Sequence, residues 1–349
     1  MAVPYSRTII GSLPWYSVLI VTGIVAALWL ACKEERRLGL PADTVVDAAL
    51  IAVPLGIVGA RLYYVLMSWE QFAPNPISVL YVWQGGIGIY GGILGGLLGV
   101  WLYTRKKKLS FARLTDVIVP GLLLAQAIGR WGNYFNMEAY GVELTDARLQ
   151  FFPLAVWIPA KGAWHAATFF YESIWNAAGC AALWGMRKKS RRDGWLTAWY
   201  LVIYGSGRFV IEQLRTDSLY IGAFRASQWL SLVLCIIACV FLLCVSLKRG
   251  QQLAAFGCVF LWISRWAVLN AHGVYAMLMV LAGVIALWLC RYQRKALLWL
   301  LAAIVLDGFG LAAALGAVPV EGLAQGMHAA LCSLTLPAGL WAVCGNQYE

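Results

Sequence analysis

The stretch DVIVPGLLLAQAIGRWGNYFNMEAYG, residues 116–141, begins as an apolar run and ends in an arginine, two asparagines and a glutamate. Its first part, 116–135, is long enough to cross the roughly 30 Å hydrocarbon core of a bilayer as a helix. An ionisable group at that depth costs on the order of several kcal/mol unless it is paired or faces water, so Arg130 is a functional candidate. The rest of the chain has the same character: 349 residues, 62% hydrophobic and 12% charged, with mean hydropathy +0.73. That composition excludes an ordinary soluble domain and predicts a polytopic membrane protein. The first apolar run, 13–32, lacks a basic start and a small-residue cleavage site and is followed by KEERR, so it reads as a retained span. The nine cysteines sit singly in apolar segments without a CxxC pair or a neighbouring histidine, as buried thiols do, and imply neither disulfides nor zinc.

Working outward, candidate spans fall at 13–32, 45–67, 85–103, 116–135, 169–186, 195–211 and 228–247, with four more near 253–271, 274–290, 296–315 and 325–344. The net charge of +11 is carried by short clusters between these runs, which assigns it to membrane topology and not to nucleic acid. Basic clusters at Lys33/Arg36/Arg37, 105–108 with Arg113, 187–192, Lys248/Arg249 and Arg291/Arg294/Lys295 occupy every second connection. The positive-inside rule then puts the N-terminus outside. Residues 136–168 form the longest outside connection, a small cap with Trp157 and Trp164 suited to the interface. Polar groups recur before Lys248 and thin out after it, which divides the chain into 1–248 and 249–349. The expected fold is an all-α polytopic bundle of seven spans with an extracytoplasmic cap, extended by about four C-terminal transmembrane helices.

Three blocks carry the polar chemistry. In IGRWGNYFNMEAYG, residues 128–141, Arg130, Asn133, Asn136 and Glu138 are close enough in sequence to share a pocket. The plainer alternative is an arginine snorkelling to the interface beside capping asparagines. In YGSGRFVIEQLR, residues 204–215, Arg208, Glu212 and Arg215 at i, i+4 and i+7 give one helix face the pattern plus, minus, plus. A structural ion-pair ladder is the alternative there, yet two guanidinium forks at matching depth suit a phosphate. In GGIGIYGGILGG, residues 85–96, small-xxx-small spacing means close helix packing, and Tyr90 is the polar exception. Arg61, inside a span without a local acid, calls for a tertiary partner or a bound anion. Trp15 and Tyr16 open the first span as belt residues.

Taken in order, these blocks resemble the prolipoprotein diacylglyceryl transferase family. GRWGNYFNMEAYG is similar to its signature, G-R-x-G-N-(F/Y)-x-N-x-E-x-x-G, and the other two blocks resemble further family segments over about residues 10–248. Tyr90 stands where some members have a histidine, and Ser17 where a glycine often follows the tyrosine. The resemblance implies an enzyme of the bacterial cytoplasmic membrane that moves a diacylglyceryl group from phosphatidylglycerol to the lipobox cysteine of a preprolipoprotein signal peptide. It implies Arg130, Arg208 and Tyr90 as catalytic residues. It adds Asn133, Asn136, Glu138, Gly141, Arg61, Tyr16, Tyr204, Glu212 and Arg215 as substrate-binding residues and no cofactor; acidic residues too sparse at this depth to cage Mg²⁺ lead to the expectation of no metal. An alcohol phosphatidyltransferase would show several aspartates on adjacent helix faces, and an anion or lipid transporter would show midplane polar groups or inverted halves. Neither pattern is present in the sequence.

Overall fold

The structure, a computed structural model, describes residues 6–9, 13–189, 192–216, 220–221 and 224–246. The four candidate spans after residue 248 lie outside the described residues. Within them the chain is mostly helical: α1 (Trp15–Arg37), α2 (Thr44–Met67), the single turn α3 (Trp69–Phe72), α4 (Ile89–Lys107), α5 (Phe111–Asn136), α6 (Thr168–Met186), α7 (Trp195–Leu214) and α8 (Ala226–Ser246). All but α3 coincide with the apolar runs read from the sequence. Three of them, α1, α2 and α5, are by length and composition apolar enough to cross a membrane. Basic residues close the last turns of α1 (Arg36, Arg37) and α4 (Arg105, Lys106, Lys107), where they complement the carbonyl end of the helix dipole.

The chain divides into two compact units. The unit of residues 24–122 is organised by glycine. On α4, Gly91, Gly95 and Gly99 meet Gly59, Leu55 and Ala52 of α2 so closely that a Cβ at any of the three would strike α2 backbone. The glycine block is therefore a packing stripe, because without hydrophobic drive inside a membrane helices associate through such close approach. Ala31, Val45, Ala48, Val100, Tyr103, Leu114 and Val117 form its core. Glu35 accepts from the Val45 N–H at 2.6 Å and so satisfies one of the open donors that begin α2.

The second unit, residues 1–23 and 123 onward, contains α6 to α8, the C-terminal part of α5 and the cap. Where a wholly helical fold was expected, the cap is a β-hairpin: β1 (Ala155–Ile158) pairs antiparallel with β2 (Ala163–Ala166), with Trp157 opposite Trp164. Val, Ile and Trp around the turn PAKG explain the departure, since these residues favour a pleated, half-buried surface over a helix. A second short pair, β3 (Tyr220–Ile221) and β4 (Phe224–Arg225), precedes α8. Residues 141–144 run beside β2, with Gly141 and Leu144 donating to the carbonyls of Ala166 and Trp164 at 2.8 Å each. Val156, Ile158, Ala167 and Phe169 pack with Trp131 and Tyr134, which fixes the cap to the end of α5.

Candidate active site

Within the second unit three helices carry one charged cluster. Arg130 projects from α5, Glu172 from the first turns of α6, and Arg208 and Glu212 from α7. Glu172 lies between the two arginines: Arg130 Nη2 is 2.6 Å from Oε1, and Arg208 Nη1 donates to Oε2 at 3.1 Å. The first is a charge contact rather than an aligned hydrogen bond. Arg208 Nη2 reaches Glu212 Oε2 at 2.7 Å, one helical turn on. Glu172 is 2% exposed, so a single buried carboxylate sets the separation of two guanidinium groups that keep part of their surface. Burial of such a group is tolerated only with its partners in place. The hydroxyl of Tyr204 lies against Arg130, near Glu172 and Arg208.

A second, neutral-to-acidic tier continues from Arg130 toward the cap. Asn133 accepts from Arg130 at 3.4 Å and donates through its amide nitrogen to Glu138 Oε1 at 2.9 Å, where Asn136 also donates at 3.3 Å. This works because α5 ends at Asn136 and Met137 turns with φ 54, which folds Glu138 back onto the helix end; the Glu138 N–H bonds the Asn133 carbonyl at 3.0 Å. Tyr16 packs across Gly132, where a Cβ would sit 2.7 Å from its ring, and Trp15 stacks on Phe135 at 4.8 Å. Gly141 is closed in by the Leu214 carbonyl, Thr168 and Ala166, leaving no room for a side chain.

One expectation changes, and one open alternative is answered. Arg215 does not continue the α7 face: the helix stops at Leu214, and Arg215 is extended (ψ 148) and bridged to Gly141. The cause is tertiary, since Val142 N–H takes the Leu214 carbonyl at 2.8 Å. Arg61, in the other unit, has its donors on the loop that follows α2, with Nε on the Val79 carbonyl at 2.8 Å, Nη1 on Gly85 and Gly86 at 2.7 and 2.8 Å, and Nη2 on Ser78 at 2.6 Å. Of the two alternatives for Arg61 the structure supplies the tertiary partner, and that partner is backbone. Tyr90 belongs to the same unit, in the first turn of α4, edge-on to Tyr63 at 5.9 Å.

Glu172 is the residue that sequence reasoning missed. It is the only acidic residue in the apolar run 169–186. The rule that singled out Arg61, an ionisable side chain in a span without a local counter-charge, finds it equally well.

A mostly helical chain with several apolar helices and a carboxylate-bridged arginine pair is compatible with a membrane transferase. The family described as prolipoprotein diacylglyceryl transferase matches residues 6–244. A protein of Bacillus cereus named phosphatidylglycerol--prolipoprotein diacylglyceryl transferase is 44% identical over 241 residues, covering 68% of this chain and 89% of the relative. A Bacillus anthracis protein of the same name has the same identity and coverage. The chain belongs to the prolipoprotein diacylglyceryl transferase family.

Proposed function

We propose that this chain transfers the diacylglyceryl group of phosphatidylglycerol to the thiol of the lipobox cysteine in preprolipoproteins, in the bacterial cytoplasmic membrane. In the reaction the bond between the diacylglycerol carbon and its phosphate oxygen breaks, and a carbon–sulfur bond forms. The thiol proton leaves, and glycerol phosphate is released. The phosphate passes from a singly charged diester toward a doubly charged monoester, so fixed cations beside it bind the transition state better than the substrate. Arg130 and Arg208 hold that phosphate, and the positive field favours the cysteine thiolate. The observation that carries this reading is Glu172, whose two oxygens hold both guanidinium groups in one fixed arrangement.

In the same reading Asn133, Asn136 and Glu138 orient headgroup hydroxyls, Glu212 steadies Arg208, and Tyr16 and Tyr204 border the lipid. Gly141 keeps the cap close to α7. Tyr90 contributes a hydrogen-bonding hydroxyl to the reaction and not a base, because a phenol is overwhelmingly protonated at neutral pH. Residues 1–248 form the transferase portion, with 136–168 as its extracytoplasmic cap, the N-terminus outside and the reaction at the outer leaflet; this follows the alternation of basic loops.

The test is direct. Purified full-length protein is incubated with phosphatidylglycerol vesicles and a lipobox peptide, and the peptide mass is followed. Wild type adds one diacylglyceryl unit, and Arg130→Ala and Arg208→Ala lose the product by about 100-fold or more. A wild type without adduct, or either variant at full activity, sinks the assignment.

A further inference from the structure

Beneath the arginine cluster lies a second polar layer that the transfer reaction does not use. Gln126 on α5 precedes Arg130 by one turn, Asn176 on α6 follows Glu172 by one turn, and Tyr200 on α7 precedes Tyr204 by one turn. The helices pack so that these residues meet. Ser173 donates to the Ala127 carbonyl at 2.8 Å, and Gly179 sits against both Leu123 and Ile203. Asn176 lies between those two contacts on a face of α6 that is buried throughout, and α5 and α7 both line it. Gln126 donates to the Tyr200 hydroxyl at 3.1 Å, and the Tyr200 ring stacks on Tyr204 at 5.8 Å and 6°.

The hydrogen bonding of this layer is incomplete. Asn176 is 0% exposed, and neither its amide nitrogen nor its oxygen has a partner among the described residues; the same holds for Gln126 Oε1. Leaving such atoms unmade costs the full desolvation of each, and buried amides in folded proteins are almost always satisfied. The unmet groups are two acceptors and one donor, all neutral. A cation or an anion would need a like set of ligands. A water molecule, which donates twice and accepts, matches this mixed set, and buried water characteristically makes about three such bonds.

We propose that Gln126, Asn176 and Tyr200 form an internal water-binding site whose ordered water ties α5, α6 and α7 together beneath the arginines. Through the stacked Tyr200–Tyr204 pair this floor holds the Tyr204 hydroxyl against Arg130. Asn176 is thus a positioning residue: it acts on the guanidinium through water and tyrosine. Leu123 and Leu183, both fully buried, flank the layer's inner side, so the water is resident and does not form a channel.

The experiment has two arms. A high-resolution experimental structure of the full-length protein in lipid shows density within hydrogen-bond distance of the Asn176 amide and Gln126 Oε1. If instead these atoms bond directly to protein groups, from the C-terminal residues or from each other, the proposal fails. In the second arm, Asn176→Leu fills the layer with apolar volume. It lowers kcat about tenfold with KM for phosphatidylglycerol within about twofold, while Asn176→Ser, which keeps a hydroxyl and room for water, recovers most of the loss. An unchanged kcat in Asn176→Leu, or an Asn176→Ser as slow as Asn176→Leu, removes the positioning role, and a loss confined to KM does the same. The kinetic arm rests on the transfer activity proposed above; the density arm does not, so a wild type inactive in transfer leaves the water site decided on its own.

Discussion

Arg61 and Arg130 look alike in the sequence, each an arginine in an apolar helix with no acid beside it, and the structure uses them in opposite ways. Arg61 places its donors on the carbonyls of Ser78, Val79, Gly85 and Gly86. Irregular backbone next to a membrane needs internal partners for those carbonyls, and Arg61 supplies four of them. Arg130 instead faces a carboxylate that it shares with Arg208. A guanidinium spent on neutral carbonyls is a structural staple, whereas one held by a shared charge remains an electrostatic element that an incoming phosphate can engage. The partner, and not the arginine, decides the role.

That contrast can be broken in order of size. Glu172→Gln removes the shared charge and leaves two half-buried guanidinium groups poorly matched; transfer falls by about 100-fold or more, and unfolding free energy falls by about 3–5 kcal/mol. The paired readouts are the peptide-lipidation rate and denaturant unfolding in detergent. Arg61→Leu orphans four loop carbonyls and lowers stability by about 2–4 kcal/mol, seen as an earlier thermal transition. A variant as stable as wild type would return Arg61 to the anion-binding alternative. Gly95→Ala drives a methyl into the Leu55 backbone and costs about 1–3 kcal/mol by separating α2 from α4. Tyr90→Phe is the mildest: loss of one neutral hydrogen bond slows transfer by about fivefold, and unchanged activity would take Tyr90 out of the site.

Much of this was legible in the sequence for identifiable reasons. The seven long helices among the described residues were marked by apolar runs between basic clusters, and the glycine block announced its own packing. Arg130, Asn133, Asn136 and Glu138 meet because a helix end brings near neighbours together, which spacing alone conveys. What spacing does not convey is a partner from another helix. Glu172 stands 42 positions from Arg130 and 36 from Arg208 in the chain, and only the packing of α6 between α5 and α7 joins them. Arg215 was misplaced for the mirror reason: the end of α7 is fixed by Val142 from the cap, and the local sequence would have allowed another turn. The β-hairpin was hidden by its shortness, four residues to a strand.

The central claim is that Arg130 and Arg208 work as one unit through Glu172, and a double-substitution cycle on transfer measures it most directly. Arg130→Lys and Arg208→Lys each keep the charge and lose the fork, and each is expected to lower kcat/KM by about tenfold to 100-fold. If the pair acts as one phosphate clamp, the double variant loses scarcely more than the worse single one, since the shared geometry is already gone. A double variant whose loss equals the product of the two single losses would show two independent arginines and contradict the account.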